Sequence, residues 1–322
     1  MRGVFLDFAT VSNGDIDYSP LEKELDELVV HDVTALYQLH ERVQGFDIVM
    51  TNKLRIDEET MNAAGNLRLI NLAATGYNNI DINAARHRGI AVTNIRGYCS
   101  DSVAQHVFTL LLALTQHLHG YQALLAEGAW RNAPQFTLLN YPVRELVGKV
   151  LGIIGYGELG KRTAELATAF GMEVLIAQRP GMDDKRPDRI ALKELFKRAD
   201  VISLHCPLTP DTENLIDNKA LTTMKPTAIL INTSRGAVVD ENALVSALMD
   251  GQIAGAGIDV LSQEPPIDGN PLLREGIPNL IVTPHIAWAA RESRQRAIEE
   301  MAKNIAAFRN NEMRNRVEVE KS

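Results

Sequence analysis

Three side chains able to bind an acid and move a proton stand just beyond short apolar runs. Arg235 lies in Asn232-Thr233-Ser234-Arg235-Gly236, Glu264 follows Asp259 and precedes Pro265-Pro266, and His285 follows Pro284. The guanidinium of an arginine is a planar fork that matches a carboxylate at two points. A histidine, with an unperturbed pKa of about 6.5, gives or takes a proton near neutrality. A glutamate beside it favours the imidazolium and fixes the ring's orientation. Clamp, acid and partner are what reduction of a 2-keto acid asks of a protein when a nicotinamide supplies the hydride. Singly each has an ordinary alternative: Arg235 a surface charge, Glu264 an exposed loop acid, His285 a hydrogen-bonded core histidine. Their shared position at strand ends is what sets them apart.

A fourth feature points the same way. Gly155-Tyr156-Gly157-Glu158-Leu159-Gly160 separates the apolar run 150–154 from a helical run over 161–170. In such a motif Gly155 permits the tight turn, Gly157 lets the backbone approach a pyrophosphate, and Gly160 allows close helix–strand packing. The helix N-terminus then offers unpaired N–H groups and a favourable dipole to phosphates. The alternative is a plain glycine-rich turn. The following strand should end in an acid for the ribose 2′-hydroxyl. Here it ends Ala177-Gln178-Arg179-Pro180, and Asp183 and Asp184, beyond a proline and a glycine, are poor substitutes. Gln178 with Arg179 suits a 2′-phosphate, which favours NADP(H) over NAD(H). The alternative is a solvated Arg179 with Gln178 alone on the ribose.

These residues need a scaffold with its ligands at strand ends. Short β-branched runs at 4–8, 46–50, 67–73 and 90–93 alternate with helical patterns at 21–28, 33–43, 58–64 and 81–88, which predicts βαβ units and a parallel sheet. One long helix is predicted over 102–127, capped by Ser100 or Asp101. It is apolar nearly all round, so it is buried within the chain or pairs two subunits. Residues 128–146 read as a connection. Strands are predicted at 150–154, 173–177, 201–204, 228–232, 253–259 and 279–283; six is the strand count of a doubly wound dinucleotide fold. In an open parallel sheet ligands bind beyond the carboxyl ends, where His205-Cys206-Pro207, Thr233, Ser234, Arg235, Asp259 and His285 all fall. A last helix is predicted over 290–308, with a charged tail that frays after Asn310.

Composition narrows the class. The chain has 322 residues, with 33 Lys and Arg against 41 Asp and Glu and a net charge of −8, against nucleic-acid or anionic-membrane binding. Its apolar runs fall short of the ~20 residues that span a bilayer. Cys99 and Cys206 make no CxxC pair, and no His/Cys cluster or HExxH supports a metal. A cytoplasmic α/β protein is the expectation.

The stretches LGIIGYGELG, ADVISLHCPLTPDT, KPTAILINTSRGAVVDENAL, AGAGIDVLSQEPP and LIVTPHIAWAARESR, with ATGYNNID around Thr75, resemble in that order the D-isomer-specific 2-hydroxyacid dehydrogenase family. The resemblance covers nearly the whole chain, and Trp288 in HIAWAARESRQR is similar to the glycerate dehydrogenase, or hydroxypyruvate reductase, subgroup. It implies two doubly wound parallel-sheet domains: a Rossmann nucleotide-binding domain over 99–287, and a flavodoxin-like substrate domain of 1–98 with 288–322. It implies that Arg235 binds substrate, that His285 is the acid/base and that Glu264 is its partner. Thr75 and Gly76 would touch the substrate carboxylate through backbone, with Asn52 and Lys53 near the mouth. Glu158, Leu159, Gln178, Thr233 and Asp259 would line the cofactor. A homodimer through the nucleotide-binding domain is implied as well. The function expected is NAD(P)H-dependent reduction of hydroxypyruvate or glyoxylate to the D-2-hydroxy acid. The alternatives are a bulkier 2-keto acid or phosphite as substrate, or a dinucleotide-sensing protein like the family's transcriptional corepressors.

Overall fold

The computed structural model describes residues 1–182, 184 and 186–317. The chain folds as two compact units, Met1–Cys99 with the described residues from Ala289 onward, and Ser100–Trp288.

In the first unit, β1 (Arg2–Phe5), β2 (Glu27–Val30), β3 (Ile48–Thr51), β4 (Leu69–Leu72) and β5 (Ala91–Thr93) form a parallel sheet in the order β2-β1-β3-β4-β5. This is the flavodoxin-like order. Both faces are covered, so β3 and β4 are buried at every residue and read as continuous apolar runs rather than alternations. β2 corrects the sequence reading, which placed a helix over 21–28. The helix there is only Ser19–Glu22, and Leu28-Val29-Val30 pairs with β1 as a half-exposed edge strand. The helix Arg291–Arg309 returns to this unit, burying Ile298, Met301 and Ile305, and Asn71 of β4 donates to the Met301 carbonyl at 3.0 Å. The segment after Asn310 does not fray where expected: Arg316 bridges Thr93 and the Val317 N–H reaches the Val92 carbonyl at 2.9 Å. The last tail residues, 318–322, lie outside the described residues.

In the second unit, β6 (Val150–Ile154), β7 (Glu173–Ile176), β8 (Val201–Leu204), β9 (Ile229–Asn232), β10 (Gly255–Ile258) and β11 (Leu280–Val282) are all parallel, in the order β11-β10-β9-β8-β6-β7. The six strands expected from the sequence all form, and the sheet departs from the six-strand doubly wound order only at its two edges. The strand beyond β7 shrinks to a single bridge, Ala177 with Ile190, and β11 extends the opposite edge. Alternate residues face opposite layers. Leu151 and Ile153 join the core beneath the helices Ser100–Thr115 and Glu158–Ala169, while Ile154, Ile202 and Leu204 join the core on the other face. The order turns back at β6, whose neighbours are β7 and β8, so the glycine turn sits at the topological switch point.

The long helix predicted over 102–127 is two helices. Ser100–Thr115 buries Val107, Leu110, Leu111 and Leu114; it starts at Ser100, so Asp101 lies in its first turn rather than capping it, and pairs with Arg162 at 2.7 Å. The chain then breaks at His117, whose φ of 48° is left-handed, and Leu118–Ala126 buries no residue. Burial within the chain, one of the two expectations for this element, thus holds for its first half and not for its second. No helix among the described residues is long and apolar enough to cross a membrane.

Candidate active site

The glycine turn has the shape its sequence predicts. Gly155 adopts φ +95°, and a Cβ there would stand 2.5 Å from the Cys206 amide nitrogen and the His205 carbonyl carbon. A Cβ on Gly160 would meet the Gly155 carbonyl oxygen at 2.2 Å, so the helix Glu158–Ala169 packs directly on its own turn. Gly157, in contrast, faces open space and caps that helix without a side-chain hydrogen bond. The N–H groups around Glu158 and Leu159 are left for a ligand.

The neighbouring strand ends differ in the polar groups they leave free. Thr233, directly after β9, has a buried hydroxyl with no partner among the described residues. The Ser234 hydroxyl and N–H both donate to Asn232 Oδ1, at 2.9 and 3.0 Å, which closes this turn on itself. Burial pushes the Cys206 thiol up to about 11, which leaves it an inert wall, and Pro207 offers its carbonyl to Thr212 at 2.6 Å. Burial also lowers His205 to about 4, so this ring stays neutral at physiological pH.

After β7, Gln178 Nε2 donates to the Asp184 carbonyl at 3.0 Å, and the Asp184 carboxylate accepts the Arg179 N–H at 3.0 Å. Asp184 therefore does return to the strand end, but it is committed to Arg186, whose Nε lies 2.7 Å away, and that guanidinium holds its carboxyl well below the usual range. Asp183 lies outside the described residues. The Arg189 guanidinium covers the Tyr156 ring of the glycine turn at 4.8 Å, adding positive charge beside it.

The three residues singled out for chemistry come from neighbouring loops. His285 Nδ1 and Glu264 Oε2 are 2.6 Å apart, and Glu264 Oε1 accepts the Leu261 N–H at 2.9 Å. A carboxylate only accepts, so Nδ1 carries the proton and Nε2 is left for a substrate. Arg235 is exposed; its Nη1 donates to the Ser234 carbonyl at 2.7 Å. Asn232 ties this turn down by donating to the Arg235 carbonyl at 2.9 Å. At Gly236 a Cβ would stand 1.9 Å from the Leu261 carbonyl carbon. Only glycine lets the Arg235 turn and the loop carrying Glu264 come so close.

Asp259 has a role that its sequence position did not show. It is 1% exposed, and its carboxylate accepts Thr283 Oγ1 at 2.5 Å, the Ile286 N–H at 2.9 Å and the Ala287 N–H at 2.9 Å. Its carbonyl accepts the His285 N–H at 2.7 Å. Burial opposes its ionisation, but the hydrogen bonds from His106, Thr283 and the two amides outweigh this and hold its carboxyl below the ordinary value. The loop after β11 is thus wrapped round a buried anion, which holds His285 at a left-handed φ of 54°. For a residue other than glycine that conformation costs about 1–3 kcal/mol and needs such support. His106, read from the sequence as one of several scattered histidines, bonds Thr283 Oγ1 at 3.0 Å, and the Trp288 indole donates to the His285 carbonyl at 3.0 Å. No local motif could have revealed His106, since 177 residues separate it from Thr283.

In the first unit, Asn52 and Lys53 follow β3 on a loop held by Asp7. The buried Asp7 carboxylate accepts the Asn52 N–H at 2.9 Å, the Lys53 N–H at 2.8 Å and Thr51 Oγ1 at 3.0 Å. The Asn52 side chain is 4% exposed and donates to Thr10 Oγ1 at 3.1 Å. Thr75 and Gly76 lie beyond β4, where Thr75 Oγ1 donates to the Ile95 carbonyl at 2.8 Å. Among the described residues the Gly76 N–H has no partner.

Comparison with known proteins identifies the family of the chain. Residues 108–287 match the sequence model of the D-isomer specific 2-hydroxyacid dehydrogenase NAD binding domain. The chain is 40% identical over 314 residues to hydroxypyruvate reductase of Blautia hydrogenotrophica, covering 96% of this chain and 97% of that one. It is 45% identical over 274 residues to glycerate dehydrogenase of Methylorubrum extorquens, covering 84% and 85%. A crystal structure of a Thermus thermophilus protein superimposes with a TM-score of 0.85 at 36% identity, over 98% of this chain and 100% of that one. The chain belongs to the D-isomer specific 2-hydroxyacid dehydrogenase family, as an oxidoreductase that uses a nicotinamide dinucleotide on small 2-keto and D-2-hydroxy acids.

Proposed function

We propose that this enzyme reduces hydroxypyruvate or glyoxylate to the D-2-hydroxy acid, with Arg235, Glu264 and His285 as its catalytic residues. The observation that carries this reading is the 2.6 Å contact between His285 Nδ1 and Glu264 Oε2 at the carboxyl edge of a dinucleotide-type sheet. The bound coenzyme supplies the hydride. Arg235 takes the substrate carboxylate in its fork. His285 donates its Nε2 proton to the ketone oxygen as that oxygen gains charge. Glu264 favours the imidazolium beforehand and afterwards keeps hold of the neutral ring through Nδ1–H. An assay following nicotinamide absorbance, with hydroxypyruvate, glyoxylate, pyruvate, bulkier 2-keto acids and phosphite, tests it. The highest kcat/KM is expected with hydroxypyruvate or glyoxylate; a preference for a bulkier acid or phosphite overturns the substrate assignment.

The unit Ser100–Trp288 is assigned to the coenzyme through Gly155, Gly157, Glu158, Leu159, Gly160, Gln178, Arg179, Cys206, Pro207, Thr233, Ser234 and Asp259, besides the catalytic Arg235 and His285. The other unit is assigned to substrate through Asn52, Lys53, Thr75 and Gly76. NADP(H) is the preferred coenzyme in this reading. Support comes from the neutral Gln178, from Arg179 beside it, and from the engagement of Asp184 with Arg186. Gln178→Asp places an acid where a ribose hydroxyl binds. It is expected to move the ratio of NADPH to NADH efficiency at least about tenfold toward NADH, the worth of one charge-assisted hydrogen bond. An unchanged ratio counts against this reading of the loop.

A homodimer in the cytoplasm completes the proposal. The helix Leu118–Ala126 and the segment after it leave apolar side chains uncovered, among them Phe136, 90% exposed, and Leu139, 82% exposed. Such a patch favours an interface. Sedimentation is expected to give twice the 35.5 kDa chain mass; a single chain mass at micromolar concentration contradicts it.

A further inference from the structure

Asn94 follows β5 directly and is 3% exposed. Its Nδ2 donates to the Thr75 carbonyl at 2.7 Å. The same loop is tied to the same segment twice more: Thr75 Oγ1 donates to the Ile95 carbonyl at 2.8 Å, and the Ile95 N–H to the Ala74 carbonyl at 3.1 Å. Asn94 is itself fixed from the C-terminal side. Its carbonyl accepts Asn304 Nδ2 at 2.9 Å, and its N–H donates to the Asn315 carbonyl at 3.2 Å. Asn304 Oδ1 in turn accepts Arg314 Nη1 at 3.0 Å and Asn315 Nδ2 at 3.1 Å. The helix Arg291–Arg309 and the segment after it thereby brace a loop more than two hundred residues away in sequence.

Two features show that Asn94 does more than pack. Its Oδ1 is buried with no partner among the described residues, a cost that a residue kept only for its shape has no reason to carry. Its amide donor is spent on the Thr75 carbonyl, which shares a planar peptide with the Gly76 N–H. In a trans peptide the C=O and N–H point in opposite directions. Holding the oxygen therefore aims the hydrogen, and that N–H has no partner among the described residues.

We propose that Asn94 is a positioning residue: by holding the Thr75 carbonyl it turns the Gly76 N–H outward as a preset donor for the substrate carboxylate. This rests on the assignment of Thr75 and Gly76 to that carboxylate. Without Asn94 the peptide can rotate, so the donor must be ordered at each binding event. Substrate binding weakens, while the coenzyme, held by the other unit, is unaffected.

The test uses Asn94→Ala, together with Asn94→Asp, which keeps the shape and exchanges the donor for an oxygen. Hydroxypyruvate kinetics, the Kd of NADPH and the amide resonance of Gly76 in protein carrying nitrogen-15 glycine are measured. Oxamate, an unreactive 2-keto acid isostere, is the probe added to the NADPH complex. In the wild type, oxamate is expected to shift the Gly76 resonance. Both variants are expected to raise KM about tenfold, the worth of one hydrogen bond to a charged group, with a smaller change in kcat and an unchanged Kd for NADPH. A shifting wild-type resonance with an unaltered KM in the variants overturns the role of Asn94 and leaves the Thr75–Gly76 assignment standing. A rise of KM and NADPH Kd together also overturns it, because that is a general loss of structure. A wild-type resonance that ignores oxamate overturns the Thr75–Gly76 assignment, and the role of Asn94 with it.

Discussion

Replacing His285 with alanine is expected to lower kcat by about 10²–10⁴-fold, the usual worth of a positioned general acid, while the Kd of NADPH stays near the wild-type value. The proton to be delivered sits on Nε2, since Nδ1 is held by Glu264 at 2.6 Å. Coenzyme affinity should largely survive because the glycine turn and the other strand ends assigned to it do not depend on the imidazole. Backbone conformation could confuse the result, as His285 has a φ of 54°. Asparagine tolerates the left-handed region better than most residues. His285→Asn should therefore match alanine in activity while unfolding closer to the wild type. Steady-state kinetics, fluorescence titration of NADPH and thermal melts check this. Turnover near the wild-type value in both variants removes His285 from the reaction.

Arg235→Lys is expected to lower kcat/KM for a 2-keto acid by about 10–100-fold, the range for losing a charged hydrogen bond from a bidentate pair. Lysine keeps the charge and loses the fork. Stability should hardly move, because Arg235 is exposed and its side chain bonds only the neighbouring Ser234 carbonyl among the described residues. The loss should fall on carboxylate substrates, with NADPH binding intact. Unchanged kinetics in this variant contradict the clamp.

How much of this was legible beforehand depends on whether the information is local. The turn Gly155 to Gly160 carries its own signature, because a positive φ and two close backbone approaches admit only glycine. The strands β3, β4, β8 and β9 are buried throughout, β6 is buried beyond Val150, and all read as apolar runs. β2 was hidden because the helix read over 21–28 was carried past its true end at Glu22 into the strand. The break at His117 was hidden because a single left-handed residue interrupts an otherwise helical composition. At the site, Arg235, Glu264 and His285 could be picked out by type and by position after a strand. What holds them could not. Asp7, His106, Asp259 as a loop anchor, and Asn94 act across long sequence separations through buried hydrogen bonds, which leave no periodicity and no motif. Asp184 shows the converse: the acid expected after β7 stands late in the chain, returns in space, and is then taken by Arg186.

The most direct measurement is a crystal structure of the enzyme with NADPH and oxamate bound. It should place His285 Nε2 about 3 Å from the oxamate carbonyl oxygen, within hydrogen-bond reach, and the Arg235 guanidinium on the oxamate carboxylate. An imidazole turned away from that oxygen, or a carboxylate bound without Arg235, contradicts the account.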